Sequence, residues 1–574
     1  MLYKSEKEYL AKENTILTKF YIPEILEKFG FDSENAAKFK EFNAKNAWIN
    51  IGGWQSWNPG YEVECEKKQM ALTCHIVRPF NSYLKFPQTH YKESKNLVLG
   101  QFIIYLRWED FYLCFVSSGN IENVLPPVQF VVNRKENSVS VELCDKGKLW
   151  KKDELQSEIQ IFCADSYFTL KKNLIKIFGT SDKEKNEYSN RFDQIQFLGK
   201  TAAGWESWYN HYSNIDEKLI LDDLESLKST KNIITLGNYK NPVFQIDDGW
   251  ETALGNWEIR KDRFPNGLKS ITEKIENSGY VPGLWIAPFI IDLRTPVAKN
   301  HPDWILKNEK GKPVEAGFNP LWGAKFGKEQ PGFPGSFYVL DISIKEVIDY
   351  LDKIIERAIE DWGFRYLKLD FLYAGMIYGK RKNGGSSYEW YAAAVSYLTR
   401  RHANSKGQEV TYLGCGAPFE LSFKDFPLCR IGCDTYEHWE NSLSKRLKIN
   451  GRNSAVLNLT DSIGRAFWDK IVFANDPDVI FIRNNNCSLT KNQKILIGTV
   501  AAICGSQIMY SDDPSGSNST QETKLAEEIS EIFKKYQNEE FSIKTVRENI
   551  YEVHSKSGKY NGILNLEEGY ADIQ

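Results

Sequence analysis

The sequence predicts a multidomain protein of mixed α/β and all-β class: an N-terminal antiparallel β-sandwich, a central (β/α)8 TIM barrel and a small C-terminal antiparallel β-domain. Three observations predict this order. Short strand-like runs fill the first part of the chain, strand-like and helix-like segments alternate through the middle, and short runs return at the end. The length of 574 residues also requires more than one hydrophobic core.

The sandwich is predicted within residues 1–190. Runs such as "LVLGQFIIYLRW", "FYLCFVSS" and "PVQFVVNR" are rich in Val, Ile, Phe and Tyr, and Gly, Asn, Lys or Pro separates them. Runs of this length and composition are typical of antiparallel strands. The following "YFTLKKNLIKIFGT" has the spacing of an amphipathic helix, which we expect to link the sandwich to the next domain.

The barrel is predicted over residues 191–520, where eight strand-like segments each precede helical sequence. In chain order they are "TAAGWESWY", "PVFQIDDGW", "VPGLWIAPF", "FRYLKLDF", "EVTYLGCGAP", "CRIGCD", "DVIFIRNN" and "SQIMYSDDP". Residues 521–574 contain "FSIKTVRENIYEVHSKSGKYNGILNL", whose alternation predicts the small C-terminal β-domain.

Composition excludes several kinds of partner. The net charge is −3 and no long basic run occurs, which argues against a nucleic-acid or membrane partner. The N-terminus lacks an apolar signal region, and no apolar run reaches 18 residues, so we expect a cytoplasmic protein. Ten cysteines without a CxxC pair favour buried reduced thiols over zinc ligands or disulfides.

Polar residues cluster where the predicted barrel strands end. Lys368 and Asp370 alternate along an apolar strand, so both face the barrel interior, and active sites of such barrels lie at the carboxyl ends of the strands. Carboxylates at strand ends also cap helices, an interpretation equally suited to "IDDGW" and preferred for "SDDP". For Asp370 capping is disfavoured, because a buried charge beside an inward lysine is costly unless it has a use.

Asp370 and Asp434 are separated by 64 positions, about two βα units, which places them on the fourth and sixth strands. Carboxyl groups about 5–5.5 Å apart are what retaining glycoside hydrolysis requires. We expect Lys368 to keep Asp370 ionised as the nucleophile. The aromatic and apolar neighbours of Asp434 in "RIGCDTYEHW" are expected to raise its pKa, so that it retains a proton for the leaving oxygen.

These motifs resemble a known family. "FQIDDGW", "GLWIAPF", "YLKLDFLYAG", "LGCGAP", "RIGCDT" and "NDPD", in this order, are similar to the α-galactosidases of glycoside hydrolase family 36, particularly the compact prokaryotic members. "IGGWQSWNPG" and "AGWESWY" are also similar to that family. Single motifs are weak, but six in order at barrel-strand spacing are specific, and the resemblance spans about Gly52 to Asp513.

The resemblance implies retaining hydrolysis of terminal α-galactosides in oligosaccharides, with neither cofactor nor metal. It implies that Asp370 is the nucleophile and Asp434 the acid/base. A site that pairs buried carboxylates with an axial hydroxyl would reject a sugar lacking that hydroxyl geometry. The substrate-binding residues implied are Asp247, Asp248, Trp285, Lys368, Cys415 and Arg430, with Trp205 and Trp208 as wall residues.

Several alternatives stay open. The same scaffold suits a galactosyl transglycosylase of the raffinose-synthase kind, or an α-N-acetylgalactosaminidase with extra room near Cys415. A non-catalytic carbohydrate-binding protein is disfavoured, because both paired carboxylates are present. The Asn319–Ser343 loop departs from the compact members and either remodels the site or is a surface insertion. "GGWQSW" is expected to pack the domain interface rather than enter the site, and the state of assembly, monomer or homo-oligomer, is left open.

Overall fold

The computed structural model describes residues 3–4, 16–29, 42–65, 67, 69, 94–117, 126–143, 159–178, 191–319, 335–440, 454–515 and 519–574. In these ranges it contains antiparallel β-sheets at both ends of the chain and a parallel α/β sheet between them. The prediction of a multidomain α/β and all-β protein is confirmed at this level. Among the helices described, none has the length and apolar character needed to span a bilayer.

The N-terminal strands form two antiparallel sheets. The strands are β1 (Tyr3–Lys4), β2 (Ile16–Tyr21), β3 (Trp48–Asn50), β4 (Glu62–Val63), β5 (Leu97–Gln101), β6 (Ile103–Trp108), β7 (Phe111–Ser117), β8 (Val128–Asn133), β9 (Ser138–Leu143) and β10 (Ile159–Ala164). One sheet has the order β1-β10-β7-β6-β3-β4 and the other β2-β9-β8-β5.

The six-stranded sheet is buried on both faces. Its Leu106 and Phe115 share one core with Phe130 and Val141 of the four-stranded sheet, as in a sandwich. On the opposite face, Ile103 belongs to the core shared with the barrel. Every residue of β6 is therefore buried, which explains why "IIYLRW" is continuously apolar apart from its arginine.

The central sheet is parallel throughout. Its strands are β11 (Ala202–Glu206), β12 (Val243–Ile246), β15 (Val281–Ile286), β19 (Tyr366–Leu369), β20 (Thr411–Gly414), β21 (Leu428–Arg430), β22 (Ala474–Asp476), β23 (Val479–Ile480) and β24 (Gln507–Tyr510). Their order is β22-β21-β20-β19-β15-β12-β11-β24-β23. The two edges, β22 and β23, are consecutive in the chain, so two residues join the sheet's ends.

The seventh strand differs from its prediction. "DVIFIRNN" was expected to form it, and its Val479–Ile480 does form β23, but the strand also includes the earlier β22, and Pro477 and Asp478 separate the two parts. Proline offers no N–H to a ladder, and Asp478 has φ 76°, a left-handed conformation that ends extended structure. The strand is thus split, and its halves pair with different neighbours.

The helices flank the parallel sheet and join the domains. They are α1 (Ile22–Lys28), α2 (Tyr167–Phe178), α3 (Trp208–His211), α4 (Glu217–Ser229), α5 (Ile233–Gly237), α6 (Gly267–Asn277), α7 (Pro296–Asn300), α8 (Lys345–Glu356), α9 (Ser387–Leu398), α10 (Phe419–Ser422), α11 (Ala455–Gly464), α12 (Lys491–Cys504) and α13 (Thr520–Tyr536). The predicted linker helix corresponds to α2.

Small antiparallel sheets complete the fold. They contain β13 (Glu251–Ala253) with β14 (Asn256–Ile259), and β16 (Ile290–Ile291) with β17 (Glu315–Phe318) and β18 (Ser336–Val339). The C-terminal meander contains β25 (Phe541–Arg547), β26 (Ile550–Ser555), β27 (Asn561–Asn565) and β28 (Tyr570–Ile573). Of the Asn319–Ser343 loop, residues 320–334 lie outside the described residues, and the described part contains β18.

Arg465, directly after α11, joins the sandwich to the barrel. Its Nε donates to the Gly52 carbonyl at 2.8 Å, and its terminal nitrogens donate to the carbonyls of Asn58 and Ile431. Gly52 and Asn58 belong to the "GGWQSWN" loop of the sandwich, whereas Ile431 follows the sixth barrel strand, β21. One buried guanidinium therefore holds two domains together.

Glycines make room for this guanidinium. A Cβ on Gly60 would lie 2.2 Å from Nε of Arg465, a distance that only a rearrangement could relieve. The same contact region is reinforced by the N–H of Gly60, which donates to Asp461 of α11 at 2.9 Å. The Gly-rich "GGWQSWNPG" segment is thus explained by close packing against Arg465.

We predict that Arg465→Met lowers the free energy of unfolding by on the order of 3 kcal/mol, because it leaves several buried carbonyls without donors. Guanidinium chloride unfolding followed by tryptophan fluorescence measures this. The matched control is Arg547→Met, where the side chain is 62% exposed, and a change within about 0.5 kcal/mol is expected. Equal effects of the two substitutions would contradict the assignment.

Candidate active site

Alternation along the barrel strands separates an apolar base from a polar layer. At the base, one cluster contains the inward residues Ala202, Val243, Val281, Tyr366, Leu413, Leu428 and Ala474. Since side chains alternate, residues two positions further on face inward as well. By this rule Lys368 lies above Tyr366 and Arg430 above Leu428. The polar layer therefore begins one pleat above the apolar base, toward the carboxyl ends of the strands.

Lys368 is a buried cation shared by two carboxyl groups. Its Nζ lies 2.9 Å from Oδ2 of Asp247 and 3.4 Å from Oε2 of Glu206. Burial opposes the charge on Lys368, but these two carboxylates outweigh it and raise its pKa well above the ordinary value. Lys368 was expected to keep Asp370 ionised, but the ammonium forms its ion pairs with the carboxyl groups at the ends of the first and second strands instead.

Asp370 is held by N–H donors rather than by the lysine. The indole Nε1 of Trp285 donates to Oδ2 at 2.9 Å, and the backbone N–H of Phe371 donates to Oδ1 at 2.7 Å. Phe371 has φ 51°, an uncommon conformation for a bulky residue. Strain of this kind, on the order of 1–3 kcal/mol, persists where surrounding structure enforces it, and it is concentrated at functional sites.

Trp57, from the sandwich, is part of the structure that surrounds Phe371. The two rings lie 5.3 Å apart, and the Tyr373 ring meets Trp57 edge-on at 5.9 Å. A Cβ on Gly416 would lie 2.2 Å from the Trp57 ring, so the residue after Cys415 must be glycine. Trp57 thus packs at the domain interface, as expected, and it also borders the ends of the fourth and fifth strands.

Cys415 is a buried neutral thiol at the end of the fifth strand. Its N–H donates to the Leu369 carbonyl at 2.9 Å, which fixes it beside the segment carrying Asp370. Burial, followed by the charge of Asp370, raises the pKa of this thiol well above its usual range. The group therefore offers a small, weakly polar surface to a ligand.

Asp434 has a different environment. Its side chain is 24% exposed, and NH1 of Arg430 lies 3.4 Å from its Oδ1. Burial of the carboxyl and the nearby charges of Asp478 and Asp370 raise its pKa to about 7, against the opposing effect of Arg430. The predicted direction of the shift and its cause, burial, agree with the structure.

Arg430 is the second buried cation of the interior. Its Nε donates to Oδ2 of Asp476 at 3.0 Å, and its NH2 lies 2.7 Å from Oδ1 of Asp478. The three carboxyl groups around it come from the segment after the sixth strand and from the split seventh strand. Arg430 therefore links Asp434 to the segment that joins the edges of the parallel sheet.

The remaining predicted residues are placed as follows. Asp248 is buried beside Asp247, and its N–H donates to Oδ1 of that neighbour at 2.9 Å. Trp208 begins α3, half-buried, with its ring 5.3 Å from that of Tyr212, so its role as a wall residue stays a prediction. The placement of Trp205 is different: its ring stacks on Phe244 at 4.6 Å on the outer side of the sheet.

Trp205 is therefore wrongly predicted as a wall residue. Its neighbour Glu206 faces the interior, so alternation directs Trp205 outward, where its Nε1 donates to the Asp512 carbonyl at 3.1 Å.

The capping interpretation of "SDDP" is also wrong. Ser519 and Glu522 cap α13, whereas Asp512 accepts the N–H groups of Ile482 and Arg483.

Glu206, which was not among the residues predicted for the site, lies in the same polar layer. It is buried next to Lys368, and its Oε1 accepts no hydrogen bond from any residue the structure describes. Burial raises its pKa to about 8, with Lys368 opposing and Asp247 adding to the shift. Alternation from Ala202 through Gly204 would have identified Glu206 as inward, since "AGWESWY" was already placed on the first strand.

The described residues show no grouping of three or more His, Cys, Asp or Glu side chains suited to a metal ion. Eight cysteines fall within the described ranges, and all of them are free thiols.

Comparison with known proteins locates the family. The Melibiase family model matches residues 205–383, which include Trp285, Lys368 and Asp370. Over these residues the chain is similar to the Melibiase family, and it resembles the α-galactosidases of glycoside hydrolase family 36. The sequence-based resemblance is thereby confirmed.

Curated relatives match over part of the chain. The α-galactosidase Mel36A of Lactobacillus acidophilus is 25% identical over 185 residues, which are 31% of this chain and 21% of that protein. The α-galactosidase mel1 of Schizosaccharomyces pombe is 25% identical over 259 residues, 44% of this chain and 42% of that protein. The matches thus span about a fifth to two fifths of these relatives.

Solved structures share the fold over most of the chain. The α-galactosidase of Thermus thermophilus in complex with stachyose has a TM-score of 0.64 and 24% identity, covering 85% of this chain and 90% of that one. The family 36 α-galactosidase AgaA of Geobacillus stearothermophilus has a TM-score of 0.54 and 12% identity, covering 91% and 66%. At these identities the likeness establishes the fold alone.

We predict that Glu206→Gln makes the free energy of unfolding fall less steeply between about pH 4.5 and pH 8. The carboxyl of an unfolded chain ionises near pH 4.3, whereas burial raises the pKa of Glu206 to about 8 in the folded protein. Its protonated form therefore stabilises the fold below the unfolded pKa, and that contribution is lost as the pH rises to 8. The change in slope is at most about 1.4 kcal/mol per pH unit.

Denaturant unfolding across a pH series measures this slope in the parent and the variant. The matched control is Glu225→Gln on α4, where the side chain lies in solvent, and its slope should follow that of the parent. Identical slopes for the parent and Glu206→Gln would show that Glu206 ionises alike in the folded and unfolded chain.

Proposed function

We propose that this protein is a retaining α-galactosidase that removes terminal α-D-galactosyl residues from oligosaccharides. The observation that carries the proposal is the contrast between two carboxyl groups, one at the end of the fourth strand and one just after the sixth. Asp370 accepts two N–H hydrogen bonds, whereas burial and neighbouring carboxylates raise the pKa of Asp434 to about 7. Retaining hydrolysis needs one carboxylate nucleophile and one protonated acid.

The scaffold in this proposal is a closed (β/α)8 barrel. The order of the parallel strands supports closure, because its two edges, β22 and β23, are separated only by Pro477 and Asp478. We retain the predicted domains, residues 1–190, 191–520 and 521–574, as part of the proposal. Helix α13 (Thr520–Tyr536) packs on α12, and the C-terminal sheet itself begins at Phe541.

In the first step, Asp434 donates its proton to the glycosidic oxygen while a carboxylate oxygen of Asp370 attacks the anomeric carbon. The bond to the leaving group breaks, and a covalent galactosyl ester of Asp370 forms. In the second step, Asp434, now ionised, takes a proton from water, and the resulting hydroxide attacks the same carbon. The ester bond breaks, which frees the Asp370 carboxylate and releases galactose, and Asp434 keeps the proton that it took from water.

Substrate recognition is assigned to the polar layer beside Asp370. Asp247, Asp248 and Lys368 would bind sugar hydroxyls, and their mutual ion pair orients them before the sugar arrives. Trp285 would both hold Asp370 and present its ring to the sugar, and Cys415 would limit the space beside the anomeric centre. Complexes of the Thermus thermophilus enzyme with stachyose and with p-nitrophenyl α-D-galactopyranoside support this substrate class. Cytoplasmic location remains a prediction.

We expect Asp370→Ala to reduce turnover of p-nitrophenyl α-galactoside by more than about 10⁴-fold, with partial rescue by azide as an external nucleophile. Asp434→Ala should lose about 10²–10⁴-fold on an alkyl galactoside but much less on the aryl glycoside, whose leaving group needs no proton. Steady-state kinetics and identification of the galactosyl azide measure these effects.

The matched control is Asp349→Ala on the exposed side of α8, which should retain parent activity. Near-parent turnover by Asp370→Ala would refute its assignment as nucleophile.

A substrate panel tests the activity itself. Among p-nitrophenyl α-galactoside, α-glucoside and α-N-acetylgalactosaminide, the galactoside is expected to give the highest kcat/KM, because the buried carboxylates would be left unpaired by a sugar of different hydroxyl geometry. Product analysis with added acceptor sugars separates hydrolysis from transfer. Predominant transfer, or preference for the N-acetyl sugar, would replace the proposed activity by one of these alternatives.

A further inference from the structure

The "NDPD" segment, Asn475–Asp478, has no role in the reaction described so far. It lies where the seventh strand is split, and its last residue has the left-handed φ of 76°. This backbone turn directs the Asp478 side chain into the barrel interior, where it is completely buried.

The contacts of Asp478 are with residues around Asp434. Its Oδ1 lies 2.7 Å from NH2 of Arg430, and its Oδ2 accepts the Tyr209 hydroxyl. The same Oδ2 accepts the backbone N–H of Thr435 at 2.8 Å and the Thr435 hydroxyl at 3.1 Å. Thr435 directly follows Asp434, so Asp478 holds the turn that carries the acid.

We propose that Asp478 is a positioning residue for Asp434: it fixes the Arg430 side chain and the Asp434–Thr435 turn, and its negative charge keeps the proton on Asp434. The inference rests on the proposed function of Asp434 as acid/base. It assigns to the "NDPD" segment the task of holding the acid in its protonated state between reaction cycles.

Charge and hydrogen bonding favour ionisation of Asp478 over that of Asp434. Asp478 lies against the Arg430 guanidinium, and its Oδ2 accepts three further donors, both of which stabilise a carboxylate. Asp434 is instead partly open to solvent and 3.4 Å from a guanidinium that Asp476 and Asp478 already share. A negative charge nearby favours the protonated form of a carboxyl.

The other charged and titratable groups that act on this pair come from several strands. Beyond Asp434 and Asp478 themselves, they are Glu206, Tyr209, Lys368, Asp370, Cys415, Arg430, Cys433 and Asp476. Lys368 and Arg430 oppose protonation of Asp434, and Asp478 and Asp370 favour it. Burial raises the pKa of Asp478 as well, with Arg430 opposing that shift.

Asp478→Asn tests the charge while it preserves shape. Removing the charge ends the repulsion that favours the protonated acid, and it leaves Arg430 freer to stabilise ionised Asp434. Both changes have the same sign, so the pKa of Asp434 falls. The alkaline limb of kcat/KM for an alkyl α-galactoside is therefore expected to move down by about one pH unit.

Three variants complete the comparison. Asp478→Glu keeps the charge and should restore the alkaline limb toward the parent position. Asp478→Ser removes the charge with a smaller side chain and is used if the Asn variant does not fold. Asp512→Asn is the matched control, since Asp512 is also a buried carboxyl that accepts two backbone N–H groups at a strand end, and it should leave the limb in place.

Infrared titration gives a second measurement that does not depend on turnover. The protonated-carboxyl band of Asp434 is isolated by subtracting Asp434→Asn in each background, and in Asp478→Asn it should disappear at a lower pH than in the parent. If the limb and the band both stay at their parent positions, the inference is overturned. If no α-galactoside is hydrolysed, the proposed function fails, and the band alone decides whether Asp478 sets the protonation of Asp434.

Discussion

The inward register of the parallel strands is the constraint on which the site depends. It brings two buried cations, Lys368 and Arg430, into a layer of carboxyl groups above an apolar base. Isolating such a charge from water costs several kcal/mol unless partners surround it. A shift of one residue in any strand would turn these side chains toward the helices. The ion pairs and the barrel register therefore stabilise one another, and the polar layer exists only in this alignment.

The two cations also divide the interior. Lys368 stabilises carboxyl groups of the first and second strands, on the side where a sugar's hydroxyls would lie. Arg430 forms ion pairs with Asp434, after the sixth strand, and with Asp476 of the seventh strand. Asp370 is not paired with Lys368, and N–H donors hold it. Asp370 is thus fixed by neutral donors and Asp434 lies within an ionic group, so two similar side chains have different environments.

Much of this arrangement could be predicted from the sequence. Strand alternation placed Lys368 and Asp370 on one face, and the spacing of βα units placed Asp434 two strands away. The partner of Lys368 could not be predicted in the same way, because it depends on which carboxyl of a nearby strand lies within reach of the ammonium, and that is Asp247 rather than Asp370. Glu206 and Trp205 show a second limit. Both belong to the "AGWESWY" motif. Only alternation along the strand from Ala202, which lies in the apolar base, shows that Glu206 faces inward and Trp205 outward.

The seventh strand shows a third limit. "DVIFIRNN" has the composition of a strand, yet only its Val479–Ile480 pairs, as β23, and the other half of the strand, β22, lies before Pro477 and Asp478. Composition reports the tendency of a segment to be extended and buried, whereas hydrogen-bond partners decide where the ladder lies. The residues that break the ladder are also those that direct Asp478 inward. The break in the strand therefore places the Asp478 carboxyl beside Arg430.

Arg465 has a consequence for the boundaries of the catalytic unit. Its guanidinium satisfies carbonyl groups on the sandwich loop and beside the sixth strand at once, and Trp57 of the same loop rests on the residue after Asp370. A barrel excised from this chain would expose that arginine and strip the ring from Phe371. The sandwich is therefore not an accessory module that can be exchanged freely. A foreign N-terminal domain fused to this barrel would need to retain the "GGWQSWNPG" segment, whose glycines make room for Arg465.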